Sequence, residues 1–421
     1  MDHITAARCY LLTSFLTFCL LASTSTSAQE SQTDRPRPAA SAVGAATPTA
    51  DNRTEEMPDD PKKASVRLPA MAGWNAHLVI DNGETGIWTV GAFQVFPQYG
   101  TPEVVGLDDK GRCHVLVSYS GKWSSKTIID DGRWLGGLTH GDLDPRIEGA
   151  ELYTGGQQGN LYQVVAYPHG VLDCRLIAHF PGLEIHTLLA GELDPTSPGA
   201  ELLVFTRPGA LYRVTPDGPH GTFVQNLVSH LPGRVRDALV LPGAPGEPAS
   251  IATVSRNGRL DRLRLSPSGL RRETVYSDNM GMGRLAMRWA GESAPLVLYA
   301  SHDDGRIIRL EKTPAQGWSR ETIYLGARGP RGIATGVFDE DPEVETLAVF
   351  GYSRKVQLLV RGPEGWSVET IFEDRDKGHW LSAAELDGRN GTCEIIGSGY
   401  GGRVFLLSRP PGYGLEGVAT E

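Results

Sequence analysis

A unit of about 48 residues recurs seven times along this chain. In one copy Gly141-Asp142-Leu143-Asp144-Pro145 leads to Gly149-Ala150-Glu151-Leu152 and then Gly159-Asn160-Leu161-Tyr162. The next copy reads Gly191-Glu192-Leu193-Asp194-Pro195, Gly199-Ala200-Glu201-Leu202 and Gly209-Ala210-Leu211-Tyr212. Each unit ends in a β-branched or aliphatic run, such as Lys126–Ile129, Glu273–Tyr276, Glu321–Tyr324 and Glu369–Phe372. Three anchors keep step. The closing aliphatic falls at Leu78, Ile128, Leu176, Leu227, Val275, Ile323 and Ile371. A glycine opens the third strand at Gly111, Gly159, Gly209, Gly258, Gly305 and Gly402, with Arg354 in its place in the sixth unit. An acid stands in the second strand at Glu103, Glu151, Glu201, Glu345 and Glu394, replaced by Ser250 and Pro295 in the fourth and fifth units. A fixed period of this length with strand texture predicts an all-β fold, a seven-bladed β-propeller with one blade per unit.

The phase of the repeat predicts how the ring closes. Trp74–Ile80 has the texture of a fourth strand but no first three precede it. The last unit, 379–408, has three strands and then Pro410-Pro411-Gly412. The N-terminal strand is therefore expected to complete the last blade, which removes the edges of an open array. Within the second unit the expected strands are 137–143, 151–155, 161–167 and 174–180, separated by Gly, Pro and Asp turns.

The first 28 residues read as a secretory signal: Arg8, an apolar run from Tyr10 to Ala22, and a small-residue cleavage site at Thr26-Ser27-Ala28. Residues 29–70 are rich in Ser, Thr, Ala and Pro and have little to bury, so they read as a disordered linker. Residues 71–421 are left for the propeller. The expected address is secreted or periplasmic, with no membrane span after cleavage. Three cysteines remain, Cys113, Cys174 and Cys393, a number and spacing that suit buried thiols better than a zinc site or a disulfide framework. The net charge of −10 and the lack of a basic cluster argue against nucleic acid. No Gly-x-Ser-x-Gly, His-Glu-x-x-His or Cys-x-x-Cys-His motif occurs, which leaves serine hydrolases, zincins and c-type haem without support.

The Asp-Leu-Asp-Pro, Gly-Ala-Glu-Leu and Gly-x-Leu series at 142–161 and onward resembles the FG-GAP/VCBS class of propeller repeats, over residues 74–408. The resemblance implies the propeller fold and, in many members, a calcium loop. Here the acids depart from that loop: Asp142/Asp144 and Glu192/Asp194 run into proline, Asp339, Asp341 and Glu343 offer a third set, and Asp387 is followed by Gly388-Arg389-Asn390. They read as turn acids. A second segment, Phe180-Pro181-Gly182-Leu183-Glu184-Ile185-His186 running into Leu188–Gly191, resembles the propeller domain of aldos-2-ulose dehydratase, a carbohydrate lyase. That resemblance implies a histidine-containing, metal-associated site.

The period turns His186 into a ring. The equivalent positions are Trp88, Gly136, His186, Arg234, Gly283, Arg331 and His379, each just before an innermost strand and so at one mouth of the central channel. Tyr352 and Tyr400, 48 residues apart in second-to-third strand turns, face the same end. Histidine suits proton abstraction beside a carbonyl or carboxylate. Arg234 and Arg331 suit the charge that develops, and Trp88 offers a face to a sugar. His186, His379, Arg234 and Arg331 are thus candidate catalytic residues, and Trp88, Tyr352 and Tyr400 candidate substrate contacts. Two histidines are too few for zinc without a third ligand, so no metal residues are assigned; zinc or calcium is the only cofactor left open. The sequence reading is a monomer that binds a carbohydrate at its channel mouth, with lyase or dehydratase chemistry on an oxidised sugar; a protein-binding scaffold or adhesion module is the other reading.

Overall fold

The computed structural model describes residues 66–410, apart from residues 72, 84, 120–121, 168–169, 195, 197–198, 219–220, 244–246, 292–293, 314–316, 340 and 389. The expected signal and most of the expected linker lie outside the described residues.

The described chain folds into seven antiparallel sheets, which are the seven blades. Six have four strands in sequential order, beginning at inner strands Ile87–Phe93, Leu135–Gly141, Ile185–Gly191, Val235–Leu241, Met282–Arg288 and Pro330–Thr335. The seventh runs from inner strand Gly378–Ala384 through Glu394–Gly399 and Arg403–Ser408 to Asn75–Asp81, with Val66–Leu68 added at its edge. Val66–Leu68 falls in the stretch whose composition reads as linker; it is a strand here. The second blade's inner strand is Leu135–Gly141, two residues earlier than the pattern suggests, because the turn acids follow it rather than close it. Pro97–Tyr99 is a 3-10 turn, and among the described residues no helix is long and apolar enough to cross a membrane.

The core lies between blades. The buried apolar residues form seven clusters, and each joins two neighbours: Tyr153 and Leu161 pack with Ile185 and Leu202, for example, and Phe350 and Phe372 with Phe405. Period-2 alternation in the strands lets each sheet bury both faces against adjacent sheets. Cys113 and Cys393 are buried and Cys174 half-buried, and none of the three is in a disulfide.

The repeat anchors have physical roles. The six anchor glycines adopt φ between +74° and +109°, and Arg354, in the place of the missing seventh, has φ of +66°. It is the one non-glycine residue with positive φ among those described. At Gly159 a Cβ would meet the carbonyl oxygen of Phe180 at 2.3 Å. The repeated acid is a buried brace. Glu103 accepts the backbone N–H groups of Val95 and Phe96, Glu201 that of Leu193, and Glu394 that of Leu386. Each ties down the turn that leaves the inner strand. Glu345, where that brace is absent, instead accepts from Arg309, Arg361 and Tyr299.

Candidate functional site

All seven inner strands carry a β-bulge at their second residue. In blade 3, for instance, Ile185 pairs with Thr206 and Thr187 with Phe205, which leaves His186 out of the ladder. An extra residue in one strand re-aims its side chain. The bulged residues are Trp88, Gly136, His186, Arg236, Gly283 with Arg284, Arg331 and His379. Six agree with the sequence phase. In blade 4 the bulge holds Arg236, and Arg234 sits in the turn before it.

A second ring stands outside the first. Asp109, Gln157, Arg207, Arg256, Asp303, Tyr352 and Tyr400 each donate their backbone N–H to the carbonyl of the residue two before an inner strand's bulge. Their spacings, 48, 50, 49, 47, 49 and 48, repeat the same period.

Members of both rings line a cavity of about 510 Å³. Of the sequence candidates, Trp88, His186, Arg234, Arg331, His379 and Tyr400 line it; Tyr352 stands at its rim, its hydroxyl 3.1 Å from that of Tyr400. The lining also includes Trp134, Arg236, Arg284 and Trp380. Trp134 fills the place that Gly136 leaves, since a Cβ on Gly136 would lie 2.2 Å from its ring. In blade 5 the bulge spans two residues, so Arg284 leaves the ladder together with Gly283.

The cavity has two unlike halves. An aromatic arc runs from blade 3 back through blades 2 and 1 to blade 7. Ring centroids are 5.6 Å apart for His186 and Trp134, 5.9 Å for Trp134 and Trp88, 4.2 Å for Trp88 and His379, and 5.0 Å for His379 and Tyr400. Blades 4, 5 and 6 supply Arg234, Arg236, Arg284 and Arg331. Arg236 donates to both oxygens of Asp303 at 2.9 Å, and Arg331 donates to Asp303 at 2.7 Å. Arg284 donates to the carbonyls of Arg236 and Gly283, and its guanidinium lies 3.7 Å from the Trp380 ring centroid. Arg234 has no carboxylate within ion-pair distance among the described residues. The Nε atoms of Arg234, Arg284 and Arg331 and the indole Nε1 atoms of Trp88 and Trp134 are buried without a protein acceptor. Buried donors without partners are costly, and an acceptor-rich ligand relieves them.

Burial, reinforced by crowding, weakens the cations. Arg234 is pulled down to about 10 by burial and then by Arg236, and Arg284 to about 10 by burial against the opposing charge of Asp237. Burial also lowers Arg331, but Asp303 outweighs it and holds the group above its ordinary value. His186 is kept well below the usual histidine range by burial and then Arg234, and His379 by burial and then Arg284. Both histidines are therefore neutral at ordinary pH. The Nδ1 of His379 lies 2.7 Å from the carbonyl of Trp88 and donates to it, which leaves Nε2 as an acceptor.

Two of the acids considered for calcium are paired with arginines. Asp144, fully buried, pairs with Arg146 and with Arg175 at 2.9 Å, and Asp194 pairs with Arg213 at 2.7 Å. Among the described residues one set of three side chains has ligand atoms within 4.8 Å of one another: Glu385, Asp387 and Glu394. It lies beyond the far end of the blade-7 inner strand, away from the cavity.

No protein-family model matches the chain, and no curated protein matches it in sequence. Solved structures match in fold. The WD40 propeller domain of Doa1 is 12% identical with a TM-score of 0.52, covering 79% of this chain and 96% of that one. BBS1N, solved in complex with ARL6DN, is 13% identical with a TM-score of 0.55, covering 84% of this chain and 100% of that one. Saccharomyces cerevisiae Sqt1 is 13% identical with a TM-score of 0.55, covering 83% of this chain and 100% of that one. At such identities the likeness carries the β-propeller architecture alone.

Proposed function

We propose that this propeller binds an anionic carbohydrate at its channel mouth, and that the chain is exported to meet it. One observation carries the reading: an arc of guanidiniums faces an arc of aromatic rings across a single cavity. Guanidiniums recognise carboxylate, and stacked indoles and imidazoles offer flat faces to a sugar ring. The cavity volume falls within the roughly 300–1,000 Å³ usual for small-ligand sites. The cationic mouth also stands out against a chain of net charge −10, so it focuses anions that the rest of the surface repels. The finer part of the proposal is elimination from an oxidised sugar, because the same arginines stabilise the enolate that forms when a proton leaves the carbon beside a carboxylate.

The test is titration of the purified protein with neutral and uronate oligosaccharides, followed by intrinsic fluorescence of Trp88 and Trp134. Binding of uronates but not of their neutral counterparts is expected; equal response to both, or to neither, overturns the reading. N-terminal sequencing of the native protein tests export, and a start at Gln29 is the expected result.

A second reading, a protein-binding scaffold, draws on the exposed leucines of the outermost strands, Leu176, Leu227 and Leu325, and on BBS1N, which was solved in complex with ARL6DN. A protein partner whose capture survives Arg234→Ala and Arg284→Ala, with no sugar bound, favours it.

A further inference from the structure

We propose that Tyr352 and Tyr400 form a one-proton relay at the cavity rim, with Tyr400 facing the ligand and Tyr352 holding the negative charge beside Arg331. The inference rests on the reading that an anionic sugar occupies the cavity, and it names the base of its elimination chemistry.

The geometry starts from the repeat. Both tyrosines occupy the second-ring position, in blades 6 and 7, each pinned by its backbone N–H to Gly329 or Lys377. Their hydroxyls are 3.1 Å apart and their ring centroids 5.9 Å. Tyr400 lines the cavity, with its ring 5.8 Å from Trp88. Tyr352 is ringed by cations: the Arg331 guanidinium is 5.5 Å and the Lys377 ammonium 5.6 Å from its ring centroid. The charged and titratable groups that face it are Arg331, Lys377, Tyr400 and, behind Arg331, Asp303.

The two phenols are pushed apart. Burial raises Tyr352, but the bond to Tyr400 and the charge of Arg331 outweigh it and bring the group below its ordinary value. Tyr400 is raised, first by burial and then by Tyr352. In a hydrogen-bonded pair split in this way the first proton leaves more readily than from an ordinary phenol, and the titration belongs to the pair. The histidines are placed less well as bases, because an imidazolium at His186 or His379 forms among buried guanidiniums.

The chemistry closes on itself. The C–H bond beside the ligand's carboxylate breaks, its proton passes to the oxyanion of the pair, and its electrons form the C=C bond. The C–O bond at the next carbon breaks with its electrons left on oxygen. The pair returns its proton to that oxygen and ends as it began. No oxidant, reductant or second substrate is consumed.

The experiment has two arms. In the first, tyrosine-ring carbon NMR of the labelled protein is followed against pH. One tyrosine is expected to titrate below the ordinary phenol value of about 10; the transition is expected to vanish in Tyr352→Phe and to move upward in Arg331→Gln. Titration of every tyrosine at or above about 10 overturns the proposal. In the second, oligomers of galacturonate and of glucuronate are incubated in deuterated buffer, and deuterium at the carbon beside the carboxylate is measured with product formation. Tyr352→Phe and Tyr400→Phe are expected to lower exchange by roughly 10² or more while weakening binding only several-fold. Exchange at the wild-type rate in both overturns the relay. If no uronate binds while the low tyrosine persists, the ligand reading falls and the relay stands on its titration.

Discussion

The ring nitrogen Nδ1 of His379 donates to the carbonyl oxygen of Trp88, 2.7 Å away and 291 residues earlier in the chain. The bond spans blades 7 and 1 and fixes one tautomer. Burial and Arg284 keep the ring neutral. The expected outcome is a nitrogen NMR spectrum in which His379 stays in the Nδ1–H neutral form well below pH 6.5, with Nε2 unprotonated. A His379 signal that titrates near the ordinary value contradicts this placement.

Among the described residues Arg234 has no acid within ion-pair distance, so its charge is available to a ligand. Arg234→Ala is expected to weaken uronate binding by roughly 1.5–3 kcal/mol, the range of a hydrogen bond to a charged group. Arg306→Ala, which breaks pairs with Asp278 and Asp304 outside the cavity lining, is expected to leave binding unchanged. Fluorescence titration of both variants checks the contrast.

Arg354 occupies a left-handed backbone position that the other six blades give to glycine. A side chain there costs about 1–2 kcal/mol, against roughly 0.5–1 kcal/mol of extra chain entropy for glycine. Arg354→Gly is therefore expected to stabilise the fold by about 0.5–1 kcal/mol, read as a higher denaturant midpoint at unchanged slope.

Stability is expected to peak in mildly acidic solution. Burial raises Glu103 and Glu151 to about 7 and Glu394 to about 8. A raised acid binds more protons folded than unfolded, so its stabilisation is complete below its unfolded value and is lost as pH rises through its folded one. Buried histidines act oppositely: His140, lowered by burial to about 4, withdraws stability as pH falls below its unfolded value of 6.5. Glu394→Gln keeps an oxygen for the Leu386 N–H and removes one charge. Thermal melts are expected to show the variant gaining on the parent at about pH 8 and losing that advantage at about pH 5.

Deleting residues 66–81 removes the strand that pairs with Arg403–Ser408 and takes Trp74 and Ala76 from the cluster between blades 6 and 7. An exposed sheet edge recruits other chains. The expected result is aggregation on size-exclusion chromatography and a lowered melting temperature; an unchanged monomer contradicts a closing role for that strand.

The blade count and the mouth were legible because two kinds of constraint repeat. Positive φ admits little but glycine, so Gly111, Gly159 and their counterparts mark turns in the sequence itself. The bulge recurs at a fixed phase, so Trp88, His186, Arg331 and His379 fall on it by counting. Arg236 did not, because the chain between His186 and the next bulge is two residues longer than the usual 48. Trp134 and Arg284 escaped for another reason. Counting assigns a position to a residue but says nothing of the reach of its neighbour, and glycines at 136 and 283 read as gaps. Asp303 lies in the same phase as Tyr352 and Tyr400 and was open to the same arithmetic; its ion pairs with Arg236 and Arg331, which decide how much positive charge is left for a ligand, were not.

The bulges have one more consequence. A residue excluded from the ladder carries no cross-strand partner, so changing it leaves the register of its sheet alone. The mouth is thus a set of slots, one per blade, whose side chains contact one another but do not set the register of the sheets that hold them. A library varying Trp88, His186, Arg236, Arg331 and His379, with the glycines at 136 and 283 kept, should return mostly folded proteins with altered ligand selectivity.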